Sequence, residues 1–534
     1  MPSHDGGSHP SRVASVIWLV GAFLLVWIAL GPWVLVAAVA AMLVPRARWW
    51  VQDRLHVSRR VLAYAAGGAV VLTGLVVVVP DGWLPIPQSP GALATPSYVG
   101  RPAMPSPITV AELPQHPHLA RNGTASMHND ASASGAYTWA GPLGLQPEVE
   151  TAWFGLQDCA TITVDSRDRL VALCGDRSGP SLHVIDPDTM RKAASKDLPE
   201  WLHGDEAASD ACSAEAFYLD ERDRAVLATT DRRVLAVRTS DGAGEPELST
   251  DQSWDLKPYV PFGDCLVGLL PDWSGRIWWV SHDGLVGTIA PDSGQVRVID
   301  LDETVSSSLA TDDSGGVFAV TEVALLRLVA GPDGTPGIAW RTPYDGGSGG
   351  PPTLLDGGVV AVTDSAEPRM NVRFLDRGTG AEICRQPVFD DGASATSASL
   401  VSLGTGVVVE NNHGYTSPTS TILGFATSPG LARVDLVEGR CSTRWTSDRI
   451  APSSVTKASW ATGLVYAYTK RPSWTGVSAW YVTAIDAATG RTMWSVRTGT
   501  GVLMNNDHAA ITIAPDGSLW IAALSGLVRV RDRP

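Results

Sequence analysis

The sequence lacks the short motifs by which several enzyme classes are commonly identified. No Walker phosphate loop, HExxH, GxSxG or glycine-rich dinucleotide fingerprint occurs in a supporting context. No CxxC pair or Cys/His metal spacing occurs either, which makes zinc improbable. Charged residues are only 18% of the 534 residues and the net charge is -15, so no nucleic acid is expected as a partner. These absences exclude several classes of protein without indicating a reaction.

Two long apolar runs near the N-terminus predict membrane-spanning helices. After a tail of residues 1–12, residues 13–44 contain no charged side chain, and a Gly-Pro pair in their middle predicts one kinked span or a short hairpin. Residues 61–79 are uncharged and long enough for a further span. The linking residues 45–60 contain five arginines and one aspartate, so this basic loop should remain in the cytoplasm. We therefore expect a plasma-membrane protein whose bulk lies on the extracytoplasmic side, attached by its N-terminal helices.

A proline-rich segment separates these runs from a region of regular repeats. Residues 80–135 are rich in proline and small residues, which predicts an extended extracytoplasmic stalk lying partly along the surface of the next domain. Across residues 136–534, short strands joined by tight Asp/Gly turns recur about every 40–55 residues. Each repeat predicts a four-stranded antiparallel meander, and such units must stack around an axis to bury both of their faces.

The repeats predict an all-β fold, an eight-bladed β-propeller. Seven blades are the alternative, because a degenerate blade is easily miscounted. The last repeat ends one strand short, and residues 147–154, which precede the first repeat, are suited to supply that strand. Sharing one blade between two distant parts of the chain would close the ring and remove exposed sheet edges.

One repeat carries a family pattern. The stretch AIDAATGRTMWSV at residues 484–496 closely resembles the docking repeat of quinoprotein-like (PQQ-like) β-propellers, with Asp486, Thr489, Gly490 and Trp494 in matching places. The resemblance implies a propeller of that kind, in which the tryptophan packs between blades.

The blade arrangement also predicts disulfide bonds formed in an oxidising compartment. All six cysteines lie beyond the second apolar run. Their strand positions predict three pairs: Cys159 with Cys174 across one hairpin, Cys384 with Cys441 on the outer strands of neighbouring blades, and Cys212 with Cys265, each ahead of a first strand.

In a propeller, the loops entering each first strand and those joining the second strand to the third share one face, which is the expected binding face. Two clusters on that face, ENNHGY at residues 410–415 and MNNDH at residues 504–508, are rich in the oxygen ligands that Ca²⁺ prefers. A third cluster, MHND at residues 127–130, could fold over or into the channel. The alternative is that these Asn and Asp residues simply form turns. The candidate ligand-binding residues are His128, Asn129, Asp130, His413 and His508, and the candidate metal ligands are Glu410, Asn411, Asn412, Asn505, Asn506 and Asp507.

Three functional classes fit this architecture, and the first is favoured. It is a tethered binding or scaffold module that presents the channel face to a sugar, a peptide or a partner protein. The second, implied by the resemblance, is a quinoprotein dehydrogenase with PQQ and Ca²⁺ in the channel; PQQ is disfavoured because the adjacent cysteine pair found beside it in many such enzymes is absent. The third resembles calcium-dependent lactonase or esterase propellers, with His128, His413 or His508 as the general base.

Overall fold

The chain combines an N-terminal helical part with a much larger β-structure. The computed structural model describes residues 9–54, 67, 79–111, 114–121, 124–200, 216–347 and 350–533. The helices are α1 (His9–Leu30), α2 (Trp33–Leu43) and α3 (Pro45–Arg54), with short 3₁₀ helices at Ala92–Ala94, Pro418–Gly424 and Val502–Met504.

The break predicted within the first apolar run is present, because Gly31 and Pro32 separate α1 from α2. Among the described helices, none is by itself both long and apolar enough to cross a membrane; Trp33–Leu43 together with Pro45–Val51 would be, across a bend of 103°. The second predicted span, residues 61–79, lies outside the described residues except for residues 67 and 79.

Eight sheets form a propeller, which confirms eight blades over the seven-bladed alternative. Three strands precede the repeats: β1 (Tyr98–Gly100), β2 (Ala136–Tyr137) and β3 (Glu148–Trp153). Seven of the sheets have four strands, and the sheet of blade 7 has six because β1 and β2 join it. Blades 1 to 4 follow in chain order, and their strands are β4 (Asp158–Val164), β5 (Leu170–Asp176), β6 (Gly179–Ile185), β7 (Lys192–Asp197); β8 (Phe217–Leu219), β9 (Ala225–Thr229), β10 (Arg233–Ser240), β11 (Pro246–Asp255); β12 (Leu266–Pro271), β13 (Ile277–Ser281), β14 (Leu285–Ala290), β15 (Gln295–Asp300); and β16 (Ala310–Thr311), β17 (Val317–Val320), β18 (Ala324–Ala330), β19 (Pro336–Pro343).

Blades 5 to 8 complete the ring. Their strands are β20 (Thr353–Leu355), β21 (Val359–Thr363), β22 (Asn371–Asp376), β23 (Glu382–Pro387); β24 (Val401–Ser402), β25 (Gly406–Glu410), β26 (Leu431–Val437), β27 (Arg440–Ser447); β28 (Lys457–Ser459), β29 (Leu464–Arg471), β30 (Ala479–Asp486), β31 (Thr492–Thr500); and β32 (Thr512–Ile513), β33 (Leu519–Ala523), β34 (Gly526–Arg531) with β3. Loops that enter each blade or join its second and third strands lie on one face, named here the loop face; the remaining hairpin turns lie on the opposite turn face.

The burial of each strand follows from its place in the blade. Second strands such as β9, β13 and β21 are buried at every residue, because neighbouring blades cover both of their faces. The outer strand β7 alternates between half-buried and exposed residues, since only one of its faces packs against a blade.

The predicted Asp turns are built on a recurring carboxylate contact. In blade 1, Oδ1 of Asp165 accepts hydrogen bonds from the backbone N–H groups of Arg167 and Arg169, both at 3.0 Å. Asp220 makes the same pair of contacts in blade 2, at 2.9 Å each. A buried aspartate at this position therefore satisfies the backbone of the hairpin that it begins.

The ring closes as the sequence predicts. β3 pairs antiparallel with β34, from Glu148 opposite Arg531 to Trp153 opposite Gly526. Backbone hydrogen bonds between two distant parts of the chain therefore hold blade 8 together.

The docking pattern implied by the family resemblance is present between blades 6 and 7. Oδ1 of Asp486 accepts hydrogen bonds from the backbone N–H and the hydroxyl of Thr489, at 2.8 and 2.6 Å. The indole of Trp445 packs on Gly490 and donates to the carbonyl of Ala487 at 2.9 Å. This turn is the surface on which the preceding blade docks.

Blade 8 must build that docking turn differently, because its third and fourth strands come from opposite ends of the propeller sequence. The carboxylate of Asp532 accepts hydrogen bonds from the backbone N–H groups of Leu143, Gly144 and Leu145, at 2.7, 3.0 and 2.8 Å. The buried indole of Trp494 packs on Gly144, whose φ of +85° and close approach suit glycine. Two separate segments thus rebuild the docking turn that ring closure interrupts.

Two of the predicted disulfides are confirmed. Cys159–Cys174 joins β4 to β5, and Cys384–Cys441 joins the outer strands of blades 5 and 6. Cys265 is also disulfide-bonded. Its predicted partner, Cys212, lies outside the described residues, so that pairing stays a prediction.

The proline-rich segment is more than the predicted stalk. β1 pairs antiparallel with β31 and forms an additional outer strand of blade 7. Farther along, the backbone N–H groups of Ser106 and Ile108 donate to the carbonyls of Thr462 and Trp460, at 2.9 and 2.8 Å. The segment therefore wraps around the propeller before it enters the ring.

We expect Asp532→Ala to lower the free energy of unfolding by about 1–3 kcal/mol, because three backbone N–H groups lose their acceptor. Urea unfolding followed by tryptophan fluorescence would measure the change. Asp188→Ala, in an exposed turn, is the matched control and should change stability by less than about 0.5 kcal/mol. Equal effects of the two substitutions would contradict the role assigned to Asp532.

Candidate functional site

The central channel is occupied by a segment of the chain itself. Residues 124–139, named here the plug, are mostly buried and hydrogen-bond to the inner strands of the blades. The hydroxyl of Thr124 donates to the carbonyl of Val164 at 2.9 Å, in blade 1. β2 runs parallel to the inner strand β28 of blade 7. The plug pairs in this way with the inner strands of blades 1, 2 and 4 to 8.

Three of the predicted ligand-binding residues lie in the plug and are used there. Nδ1 of His128 lies 3.1 Å from the hydroxyl of Ser399, and the side-chain amide of Asn129 donates to the carbonyl of Ala136. Asp130 accepts hydrogen bonds from the backbone N–H groups of Ser132 and Ser134, both at 3.0 Å. The MHND cluster therefore folds into the channel, and its side chains hold the plug in shape.

A buried pair of charged side chains connects the plug to blades 6 and 7. The ammonium group of Lys457 is fully buried and donates to the carbonyl of Met127 at 2.6 Å. Glu410 accepts hydrogen bonds from Thr456 and, at 3.0 Å, from the side-chain amide of Asn412. Burial raises the pKa of Glu410 to about 7. These hydrogen bonds and the positive charge of Lys457 lower the pKa and so offset part of that rise. Burial also raises the pKa of Asp130.

The four asparagines predicted as metal ligands form hydrogen bonds with the loops around them. The side chain of Asn412 accepts from Thr396 and Ser397 and donates to the carbonyls of Ala451 and Pro452. Asn411 accepts from two backbone N–H groups and donates to two carbonyls. Asn505 and Asn506 likewise donate to protein oxygens. Within the described residues, no group of three or more His, Cys, Asp or Glu side chains is arranged to hold a metal ion.

Polar groups do come together on the loop face, at the mouth of the channel. The hydroxyl of Tyr415 donates to Oδ1 of Asp507 at 2.8 Å, and its ring lies edge-on to His508 with 5.3 Å between centroids. Nδ1 of His508 is 3.4 Å from the hydroxyl of Ser397. The side chain of His508 is 51% exposed, so this group, named here the mouth cluster, is open to solvent. Burial and the neighbouring Asp507 raise the pKa of Tyr415.

The mouth cluster does not include every predicted histidine. Nδ1 of His413 lies 3.1 Å from the hydroxyl of Ser428, within its own loop. Nε2 of His508 is 3.9 Å from Asp507, beyond hydrogen-bonding distance. Tyr415 and Ser397 were not predicted; Tyr415 closes the ENNHGY cluster, whereas Ser397 lies in a serine-rich loop without a distinguishing pattern.

Comparisons with known proteins find chains that resemble this one in fold. No family model matches the chain. A curated relative, an uncharacterized protein of Archaeoglobus fulgidus, is 26% identical over 324 residues, which are 51% of this chain and 62% of the relative. The match thus spans less than two thirds of that relative's length.

Solved structures with a similar chain path include several propellers. A europium-containing methanol dehydrogenase is 12% identical, with a TM-score of 0.47, 77% of this chain covered and 90% of that chain. BamB from Moraxella catarrhalis is 14% identical, with a TM-score of 0.37 and coverages of 58% and 91%. At such identities and TM-scores, neither protein's activity transfers to this chain.

The first prediction from the site concerns pH. Glu410 has a folded-state pKa of about 7 against an ordinary value of 4.5, so the folded protein binds the proton more tightly than the unfolded chain. Stability should therefore rise as the pH falls from about 7 towards 4.5. Glu410→Gln should remove this part of the pH dependence, measured by urea unfolding across that range. The exposed Glu322→Gln is the control, and an unchanged pH profile in Glu410→Gln would contradict the assignment.

The second prediction concerns calcium. Because the asparagine side chains already bond to protein groups, we expect the same melting temperature in excess EDTA and in millimolar CaCl₂. Differential scanning fluorimetry of the purified chain measures this. A calcium-dependent rise of several degrees would instead support the metal ligands predicted from the sequence.

Proposed function

We propose that this chain is a membrane-anchored, extracytoplasmic propeller that binds a ligand or partner protein at the mouth cluster. The observation that carries the proposal is the plug. Ligand and cofactor sites are cavities able to enclose most of their ligand, and here residues 124–139 occupy the channel where a propeller offers such a cavity. Binding is therefore left to the loop face, where Tyr415, Asp507 and His508 form an open polar group.

Two features support the extracytoplasmic location. The disulfides Cys159–Cys174 and Cys384–Cys441 suit an oxidising compartment. The apolar side chains of α1 and α2 are widely exposed, with Trp18 and Leu43 among the most exposed. Such helices need a lipid or protein environment, and the arginines between residues 45 and 60 favour a cytoplasmic position for that loop.

The mouth cluster is suited to a polar ligand such as a sugar or a peptide. Asp507 offers a carboxylate acceptor, Ser397 a hydroxyl, and His508 an imidazole that both donates and accepts. The neighbouring ring of Tyr415 supplies an apolar surface against which a ligand can pack.

The two enzymatic alternatives receive less support. PQQ does not fit, because the buried plug takes its place in the channel. A calcium-dependent hydrolase needs a metal-bound water beside its base, and the described residues do not assemble such a ligand set. The chain's own geometry therefore favours binding without turnover.

Site-specific photo-crosslinking would test the proposal. Thr416 is exposed and adjoins Tyr415 without belonging to the mouth cluster. With a benzophenone amino acid in place of Thr416 in the membrane-bound full-length chain, we expect a discrete crosslinked adduct. The same amino acid in place of Val437, on the turn face, should give none. Asp507→Asn combined with the probe at position 416 should reduce the adduct severalfold.

The absence of an adduct at position 416 would contradict the binding proposal. Dye-linked oxidation of alcohols or sugars after addition of PQQ and Ca²⁺, or hydrolysis of esters or lactones, would contradict it in favour of an enzyme.

A further inference from the structure

A patch of exposed apolar side chains lies on the loop face of blades 6 to 8. Trp474 is 90% exposed and Phe425 61% exposed, although both are large and apolar. The patch, named here the apolar rim, consists of Leu93, Leu423, Phe425, Trp474 and Val502. Large exposed apolar patches on protein surfaces mark interaction sites.

Hydrogen bonds hold the segments of the rim in place. The backbone N–H of Ser473 donates to the carbonyl of Gly424 at 3.2 Å, which joins the loop of Trp474 to that of Phe425. The buried ammonium group of Lys470 donates to the carbonyl of Phe425. The side-chain amide of Asn505 donates to the carbonyl of Pro418, at the start of the 3₁₀ helix that leads to Leu423. The loops that carry the rim are therefore fixed by hydrogen bonds to the propeller and to one another.

The rim is continuous with the corner between α1 and α2. Gly476, two residues after Trp474, lies so close to the ring of Trp33 that a β-carbon there would collide with it. Gly31 lies in the same way against Val477. On the other side, Arg497 donates to the carbonyls of Ala92 and Thr95, at 2.5 and 2.6 Å, and so holds the segment of Leu93. The two apolar helices thus meet the propeller at the rim.

The rest of the loop face differs from the rim in its exposed charged side chains. The loops of blades 3 to 5, and those leading to blade 6, carry at least six exposed carboxylates, including Asp283, Glu322, Asp345, Glu367, Asp390 and Asp391. In the sector of the rim, Asp448 is exposed in the loop entering blade 7. An anionic membrane surface repels such groups. Phe262, in the loop entering blade 3, is also 77% exposed. The charge difference nevertheless favours contact through the sector of blades 6 to 8, which carries the five residues of the rim.

We infer that the apolar rim inserts into the interfacial region of the lipid bilayer, so that the propeller rests on the membrane through blades 6 to 8. The inference rests on the proposed membrane anchoring. Tryptophan and phenylalanine are residues that lie well at the boundary between headgroups and acyl chains. Since the mouth cluster is on the same face, the proposed ligand then approaches along the membrane surface.

Spin labels in the full-length chain, reconstituted in vesicles of phosphatidylcholine and phosphatidylglycerol, would test this inference. Trp474→Cys places a label on the rim, and Val437→Cys places one on the turn face of the same sector, where the side chain is also 60% exposed. Power saturation compares collisions with lipid-soluble oxygen and with a water-soluble nickel complex. We expect the oxygen-to-nickel ratio at position 474 to be on the order of tenfold higher than at position 437.

A third label distinguishes the ways in which the inference can fail. Trp18→Cys reports on α1, away from the propeller. A lipid-exposed label at position 18 with equal, aqueous ratios at 474 and 437 would overturn the rim contact and leave the anchor intact. Aqueous ratios at all three positions would overturn the anchor itself.

Discussion

The pairing of the plug with the inner strands of the blades is the interaction on which the rest of the structure depends. A propeller leaves the inner edge of every first strand unpaired around its axis. Here the carbonyls of Ala131, Ser132, Ser134 and Gly135 accept hydrogen bonds from successive blades, so one short segment satisfies several sheets at once. The same contacts remove the channel as a binding cavity and leave the loop face for recognition.

Closure of the ring depends on blade 8, whose strands come from two distant parts of the chain. The pairing of β3 with β34 places Asp532 beside Leu143 to Leu145, where its carboxylate does the work that Asp486 does within one hairpin. The docking surface for Trp494 is thereby preserved, although the chain is discontinuous at that point. Blade 8 offers blade 7 the same kind of contact that blade 7 offers blade 6, because the carboxylate and the glycine are both retained, whichever segment provides them.

The fold was largely predictable because it repeats. Strand pairs between Asp/Gly turns gave the blades, the missing strand gave the closure, and equivalent outer-strand positions gave Cys384–Cys441. The plug has no such signal, since its Ala, Ser and Gly residues bond to a different blade at almost every step. The asparagine pairs could be located from the sequence, but their role could not be predicted. Their composition indicates oxygen ligands, whereas the structure shows that the side-chain amides of Asn412 and Asn506 donate to backbone carbonyls. Tyr415 was not predicted because its hydroxyl donates to Asp507, which lies 92 residues farther along the chain.

The position of the plug in the sequence has a consequence for biosynthesis. Residues 124–139 and β3 leave the ribosome before any repeat, whereas β34 is the last strand of the propeller to be made. The nascent chain therefore contains the plug and β3, one of the two strands that close the ring, before the blades that will surround them have been made. Until β34 and Asp532 have been made, those early segments lack their final partners, so the propeller cannot close before its last strand is synthesised.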